Sequence, residues 1–212
     1  MVAWIAVFFI CAGTAHWVRG WICAVTCSGT MLALGGIVHR RNSELFAARA
    51  SWRHNDTRRF DKFILQAFLP LPLLLPALAG LDTVRFHWSA MPFRTVFRAL
   101  AVFLSGMRLV GWALCVNPWA ESTVRIQRDR KQQVVRRGPY RWVRHPMCLG
   151  GLTLYPAAAV VLGSMAALAI GGLIEVLVVL RTALVDRTLQ GELAGYRDYA
   201  AVTRWRLLPG VW

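Results

Sequence analysis

The residues best suited to chemistry run from 136 to 150: Arg136-Arg137-Gly138-Pro139-Tyr140-Arg141-Trp142-Val143-Arg144-His145-Pro146-Met147-Cys148-Leu149-Gly150. Gly138-Pro139 marks a turn. Pro146 biases His145 away from helix and suits the first turn of the helix that follows. Gly150-Gly151 leaves room for another group to approach the backbone. Tyr140, Arg141, Arg144 and His145 therefore gather in a stiff loop before a helix N-terminus, a place that can hold an anionic or polar ligand. From these residues alone a second reading is equally open, a membrane-side arginine cluster with an interfacial Tyr-Trp belt.

The tail carries a second group. Residues 181–212 contain Arg181-Thr182, Asp186, Leu189 and Glu192, then Gly195-Tyr196-Arg197-Asp198-Tyr199, and close with Arg204-Trp205-Arg206-Leu207-Leu208-Pro209-Gly210. Tyr196 and Tyr199 are three apart and share a helix face. Aromatic faces, a carboxylate and guanidinium groups together suit a ligand with an adenine ring, a cation and a carboxylate. The competing reading is an amphipathic tail lying on a membrane surface.

The elements that must position these groups are membrane spans. The chain of 212 residues is 57% hydrophobic and only 17% charged, where a soluble domain carries about 25%. Apolar runs cover Val2–Trp17, Trp21–Val38, Phe63–Leu81, Val96–Val116, Leu149–Leu162 and Ala166–Leu180. One helix over 149–180 would be about 48 Å long, against a hydrocarbon core of about 30 Å. A hairpin broken at Gly163-Ser164 is expected instead. Pro70, Pro72 and Pro76 each remove a backbone donor, so the third run is expected to kink and to pack inside the bundle.

The net charge of +15 comes almost wholly from arginine; Lys62 and Lys131 are the only lysines. Seven basic residues fall in 39–62, eight in 118–148 and five in 181–212, while the turn after the first run has only Arg19 and the linker 82–92 only Arg85. This alternation follows the positive-inside rule and predicts six segments with both termini cytoplasmic. It also excludes nucleic acid as the partner, since no aromatic-basic platform accompanies the charge. Cys11, Cys23, Cys27, Cys115 and Cys148 lie in or beside apolar runs without metal-ligand spacing, and read as small buried hydrophobes with no metal expected. The first run lacks the basic flank of a signal peptide and reads as a first span, with cleavage near Ala15 the minor alternative. Arg108 and Glu175 fall mid-way along the fourth and sixth runs. Intramembrane charges usually pair or line a cavity, so a brace between the two is one expectation and separate solvation the other. A transporter would place its polar groups on broken helices at mid-membrane, whereas this chain concentrates them at one face.

Gly138-Pro139-Tyr140-Arg141-x-x-Arg144-His145-Pro146, a hydrophobic hairpin, Arg181-Thr182-x-x-x-Asp186-x-x-Leu189, Gly195-Tyr196-x-x-Tyr199 and Leu208-Pro209 together resemble the isoprenylcysteine carboxyl methyltransferase family, in a superfamily with phospholipid methyltransferases. The bacterial members look closest, sharing Arg125-Ile126-Gln127, Val134-Val135 and the closing Leu207-Leu208-Pro209-Gly210-Val211-Trp212. The resemblance is specific over 125–212 and weak before about residue 40.

What the resemblance implies is an all-α polytopic membrane bundle. It would have five to six transmembrane segments, a C-terminal hairpin and a cytosolic cofactor-binding loop and tail. The single domain 1–212 would divide into N-terminal transmembrane helices (1–117) and the cofactor-binding part (118–212). S-adenosylmethionine would be the cofactor and S-adenosylhomocysteine its product. Membrane lipids and a lipophilic small acceptor, a carboxylate, thiol or amine, would be the partners, in a bacterial inner membrane. Gln127, Gly138, Pro139, Tyr140, Arg144, His145, Gly150, Tyr196 and Tyr199 would bind the cofactor, and Arg181 and Asp186 would be catalytic. Three positions depart from the pattern: Val185 where the family has Glu, Cys148 where it favours Tyr, and Ala194 where it has Pro. The alternative they raise is a degenerate member that binds cofactor or lipid without turnover.

Overall fold

The computed structural model describes residues 2–50 and 56–212, and all regular structure among them is helical. Arg53, one of the basic residues counted in 39–62, lies outside the described residues. The helices are α1 (Val2–Ala12), α2 (Val18–Arg41), α3 (Ser43–Ala50), α4 (Arg59–Phe68), α5 (Leu71–Gly80), α6 (Thr95–Val116), α7 (Pro146–Leu162), α8 (Met165–Glu192) and α9 (Tyr196–Val202). Four stretches are long and apolar enough to cross a membrane: Val18–Arg41, Arg59–Arg85, Thr95–Val116 and Met165–Glu192. The fold is a polytopic helical bundle.

The first run does not form a full span. Its helix ends at Ala12 and the chain turns at Gly13, φ +74°. Eleven residues rise about 16 Å, half the hydrocarbon core. Trp4 donates its indole N–H to Pro72 O at 3.0 Å, so α1 begins deep in the bundle. Its other end packs on Gly80, where a Cβ would lie 2.8 Å from the Ala12 nitrogen.

The proline-rich run breaks as expected. Helix α4 stops at Phe68, Pro70 enters α5, and Pro76 sits inside α5 with Leu71, Leu75 and Ala79 buried around it. A π-turn over Leu81–Arg85 follows. It sets Asp82 to accept from Ser89 Oγ (2.8 Å), the Ala166 N–H (3.2 Å) and Ser164 Oγ. Ser164 Oγ also accepts from the Ala167 N–H at 2.9 Å, the ordinary N-cap bond.

The hairpin turns where the sequence placed it. Gly163 ends α7 at φ +83°, a left-handed conformation that favours glycine. Arg19 is therefore more than a loop charge: it donates to Val160 O, Val161 O and Met91 O, satisfying the last carbonyls of α7. On the other face of α7, Gly106 of α6 and Gly150 meet. A Cβ at Gly106 would lie 2.7 Å from Gly150 O, and one at Gly150 would lie 2.6 Å from Gly106 O. This close approach of α6 and α7 holds the start of α7, and with it His145 and Pro146.

Arg108 and Glu175 do not pair. Arg108 is exposed on α6, while both Glu175 carboxyl oxygens are buried on α8 without a hydrogen-bond partner. The two face different surroundings, and apolar sequence around a charge does not say which way its helix face turns.

Candidate active site

Gly138, at φ +60°, opens a short 3-10 turn over Gly138–Arg141, with Pro139 and Tyr140 buried. His145 then precedes Pro146, the first residue of α7. The C-terminal tail clips onto this loop through its backbone. Arg144 N–H donates to Trp205 O at 2.9 Å and His145 N–H to Arg206 O at 3.0 Å. Arg144 Nη1 adds bonds to Thr203 O and Arg204 O, at 3.0 and 2.8 Å.

Asp186 organises the centre. Its side chain is fully buried. Arg144 grips it with Nε to Oδ1 at 2.8 Å and Nη2 to Oδ2 at 3.0 Å. His145 Nε2 lies 3.1 Å from Oδ1, and Tyr196 OH donates to the same oxygen at 3.1 Å. Gln190 and Arg206 donate to Oδ2 at 2.7 and 2.9 Å. A carboxylate offers about four acceptor sites, so these contacts use all of them. In this arrangement Asp186 positions other groups and has no acceptor capacity left for a substrate.

The tyrosines tie the same pieces together. Tyr199 OH donates to Tyr140 O at 2.7 Å, and Asn117 Nδ2 donates to Tyr140 OH at 2.9 Å. The Tyr196 and Tyr199 rings meet edge-on, 5.5 Å between centroids. Burial pushes the Tyr199 phenol up to about 12. Burial, with the Asp186 carboxylate beside it, raises Tyr196 further, and burial also raises Tyr140. All three are neutral at ordinary pH, and Tyr196 and Tyr199 act as donors.

A cavity of about 50 Å³ lies between this cluster and the loop at Gln132–Val135; Tyr140, Arg144, Tyr196 and Tyr199 all line it, with Asn117 and Leu193. Gln127 stands behind it. Its backbone N–H donates to Gln132 Oε1 at 2.9 Å, its amide donates to Trp119 O at 2.8 Å, and its own Oε1 accepts from Arg130 at 2.9 Å. Gly138, Pro139 and His145 shape the loop and do not line the cavity. Gly150 packs against Gly106 of α6 and does not line this cavity.

Arg181 belongs to a second centre. Its Nε donates to Asp61 Oδ1 at 2.6 Å and its Nη2 to Asp61 Oδ2 at 3.3 Å and Ser122 O at 2.9 Å. Asp61 is fully buried and also accepts from the Val124 N–H at 2.7 Å. Between the two centres the loop is stiffened by Arg125, which pairs with Glu121 at 2.8 and 3.0 Å and with Asp129 at 2.8 and 3.2 Å. Sequence reasoning passed over Asp61, Asn117 and Gln132, and quoted Arg206 only as part of the closing tail. Asp61 alone left a signal, an acid inside a basic stretch at the start of an apolar run.

Residues 95–190 match the family model for phospholipid methyltransferases. The match covers just under half of the chain and takes in α6, the loop, α7 and nearly all of α8. Arg144, His145, Gly150, Arg181 and Asp186 stand inside it; Asp61, Tyr196 and Tyr199 stand outside. Among the described residues, four apolar stretches of membrane-spanning length, together with this match, support an integral membrane protein. No curated protein matches the chain.

Proposed function

We propose that the protein is an S-adenosylmethionine-dependent methyltransferase acting on a lipophilic acceptor at one face of the membrane. The observation that carries this reading is the cavity walled by Tyr140, Arg144, Tyr196 and Tyr199, part of whose lining falls in the stretch matched by the phospholipid methyltransferase model. The lining fits the cofactor in kind: aromatic faces for a purine, amides for its polar edges, and a guanidinium for a carboxylate. In size it fits only with the tail displaced, because ligand pockets are about 300–1,000 Å³.

When bound, S-adenosylmethionine supplies a methyl group already activated on sulfonium. The task of the chain is then to align the partners and exclude water. Tyr140, Tyr196 and Tyr199 would hold the purine end, and Arg144 the carboxylate, with Asp186 fixing the position of Arg144. Gln127 and His145 act one step back, through Gln132 and Asp186. Gly138 and Pro139 give the loop its turn. Arg181, held by Asp61, would face the acceptor. A second, apolar cavity of about 380 Å³ lies between the spans, lined by Trp4, Phe8, Met31, Leu75, Phe103 and Leu154 among others. It suits the hydrocarbon part of such an acceptor. A bacterial inner membrane, with the site on the cytoplasmic side, is the setting the arginine distribution favours.

A second reading, a member that binds without turnover, is favoured by Val185 in place of the family's Glu and by the small volume of the cavity. Transfer of a radiolabelled methyl from S-adenosylmethionine into an organic-soluble product, with native-membrane lipids as acceptors, separates the two. Label in the organic phase supports the enzyme. Cofactor binding without any transfer supports the second reading.

A further inference from the structure

Two thiols and a thioether share one face of α2. Cys23, Cys27 and Met31 follow one another at four-residue steps, so the helix stacks them turn upon turn. All three line the apolar cavity of about 380 Å³ between the spans. The Cys23 and Cys27 sulfurs are 3.9 Å apart, and both cysteines are free. Cys23 is buried and Met31 half-exposed. Metal–sulfur bonds are about 2.3 Å long, so one ion can bridge two sulfurs up to about 4.6 Å apart.

The surroundings favour a positive guest. Ser28, on the same wall, and Glu175, on α8, hold side-chain oxygens that are buried without a hydrogen-bond partner. Tyr155 also lines the cavity and lies within electrostatic reach of both Cys27 and Glu175. Among the described residues, none that lines the cavity is basic.

The donor set decides which cation. Among the described residues no three of His, Cys, Asp and Glu gather at one point, so the third donor beside the two cysteines is the Met31 thioether. Calcium and magnesium require several oxygens, and zinc takes four ligands. Two cysteine sulfurs and a thioether suit a soft ion of low coordination number, as copper(I) and silver(I) are. A monovalent ion on one thiolate and one thiol also leaves the loaded site without net charge, which an apolar cavity demands.

We propose that Cys23, Cys27 and Met31 form a site for a soft monovalent metal ion, copper(I) or silver(I), on the α2 wall of the cavity between the spans. Loading replaces one S–H bond with a metal–sulfur bond and releases that proton to water. The site does not rest on the methyltransferase reading.

Detergent-purified protein, reduced and free of oxygen, is loaded with copper(I) and titrated with bicinchoninate, whose absorbance reports the copper it removes. Wild type is expected to hold one copper per chain against the chelator. Cys23→Ser and Cys27→Ser should each release it. Met31→Leu should weaken it about tenfold or more, the loss that even an outer partner of a metal ligand brings. Cys11→Ser and Cys115→Ser, which change cysteines outside the cavity lining, should hold copper as wild type does. X-ray absorption of the loaded wild type should show sulfur neighbours alone at about 2.3 Å, a readout that stands even where a serine variant does not fold. Wild type that yields its copper as readily as detergent alone overturns the proposal. So do retention unchanged in Cys23→Ser and Cys27→Ser, equal loss in Cys11→Ser and Cys115→Ser, and nitrogen or oxygen neighbours in the absorption spectrum.

Discussion

Arg144 and Asp186, forty-two positions apart, meet as a bidentate pair, with Nε–Oδ1 at 2.8 Å and Nη2–Oδ2 at 3.0 Å, and the aspartate is fully buried. The pair joins the loop before α7 to the C-terminal part of α8. Through Arg144 Nη1 and Arg206 it also fixes the tail. Breaking it strands Arg144 without a counter-ion. Asp186→Asn should therefore destabilise the protein by about 3–5 kcal/mol, the range for removing one partner of a buried pair. Unfolding in detergent, followed by circular dichroism, measures this; a loss below about 1 kcal/mol would show that the donors find other acceptors.

Helix contact at Gly150 makes a second prediction. A Cβ there would lie 2.6 Å from the Gly106 carbonyl oxygen, a backbone atom that cannot step aside cheaply. Gly150→Ala should cost about 1–3 kcal/mol by overpacking. The neighbouring Gly151 has no heavy atom within 4 Å of its Cβ position. Gly151→Ala should then be neutral or mildly stabilising in the same unfolding assay, since alanine is the better helix former.

Much of this arrangement could be read before any coordinates, and the reason differs by element. The hairpin was legible because Gly163-Ser164 interrupts a run too long for one crossing. The loop was legible because Gly138-Pro139 and Pro146 dictate backbone locally. The Asp61–Arg181 pair was not, because its partners are 120 positions apart and nothing local to either names the other. That Gly150 meets Gly106 was not legible, because a glycine that leaves room for close approach does not say what approaches. Gln127 and Gln132 are both amides in one loop, and only the fold decides that Gln132 lines the cavity.

Arg108 and Glu175 supply a test of that limit. They share no contact, so Arg108→Gln and Glu175→Gln should be additive, with a coupling within about 0.5 kcal/mol. Coupling above about 1 kcal/mol in a double-mutant cycle would place the two side chains together.

The tyrosines predict a pH dependence. Tyr199 is raised to about 12, against about 10 in an unfolded chain, and Tyr140 and Tyr196 are also raised. A raised folded value favours the neutral form. This contribution to stability is whole below about pH 10 and is lost as pH rises through about 12. The phenolate absorbance of these three residues should thus appear late, together with alkaline unfolding. Ionisation of Tyr199 near pH 10 in folded protein, assigned by its loss in Tyr199→Phe, would contradict the burial.

The central claim is that the cavity beside Tyr140, Arg144, Tyr196 and Tyr199 receives S-adenosylmethionine. Calorimetry of detergent-purified protein with S-adenosylmethionine and S-adenosylhomocysteine, beside the cavity-filling variant Leu193→Trp, tests it most directly. The account expects one molecule bound per chain in wild type, and no binding in Leu193→Trp at an unchanged melting temperature. Folded wild type that binds neither compound, or a Leu193→Trp variant that binds as well as wild type, would contradict it.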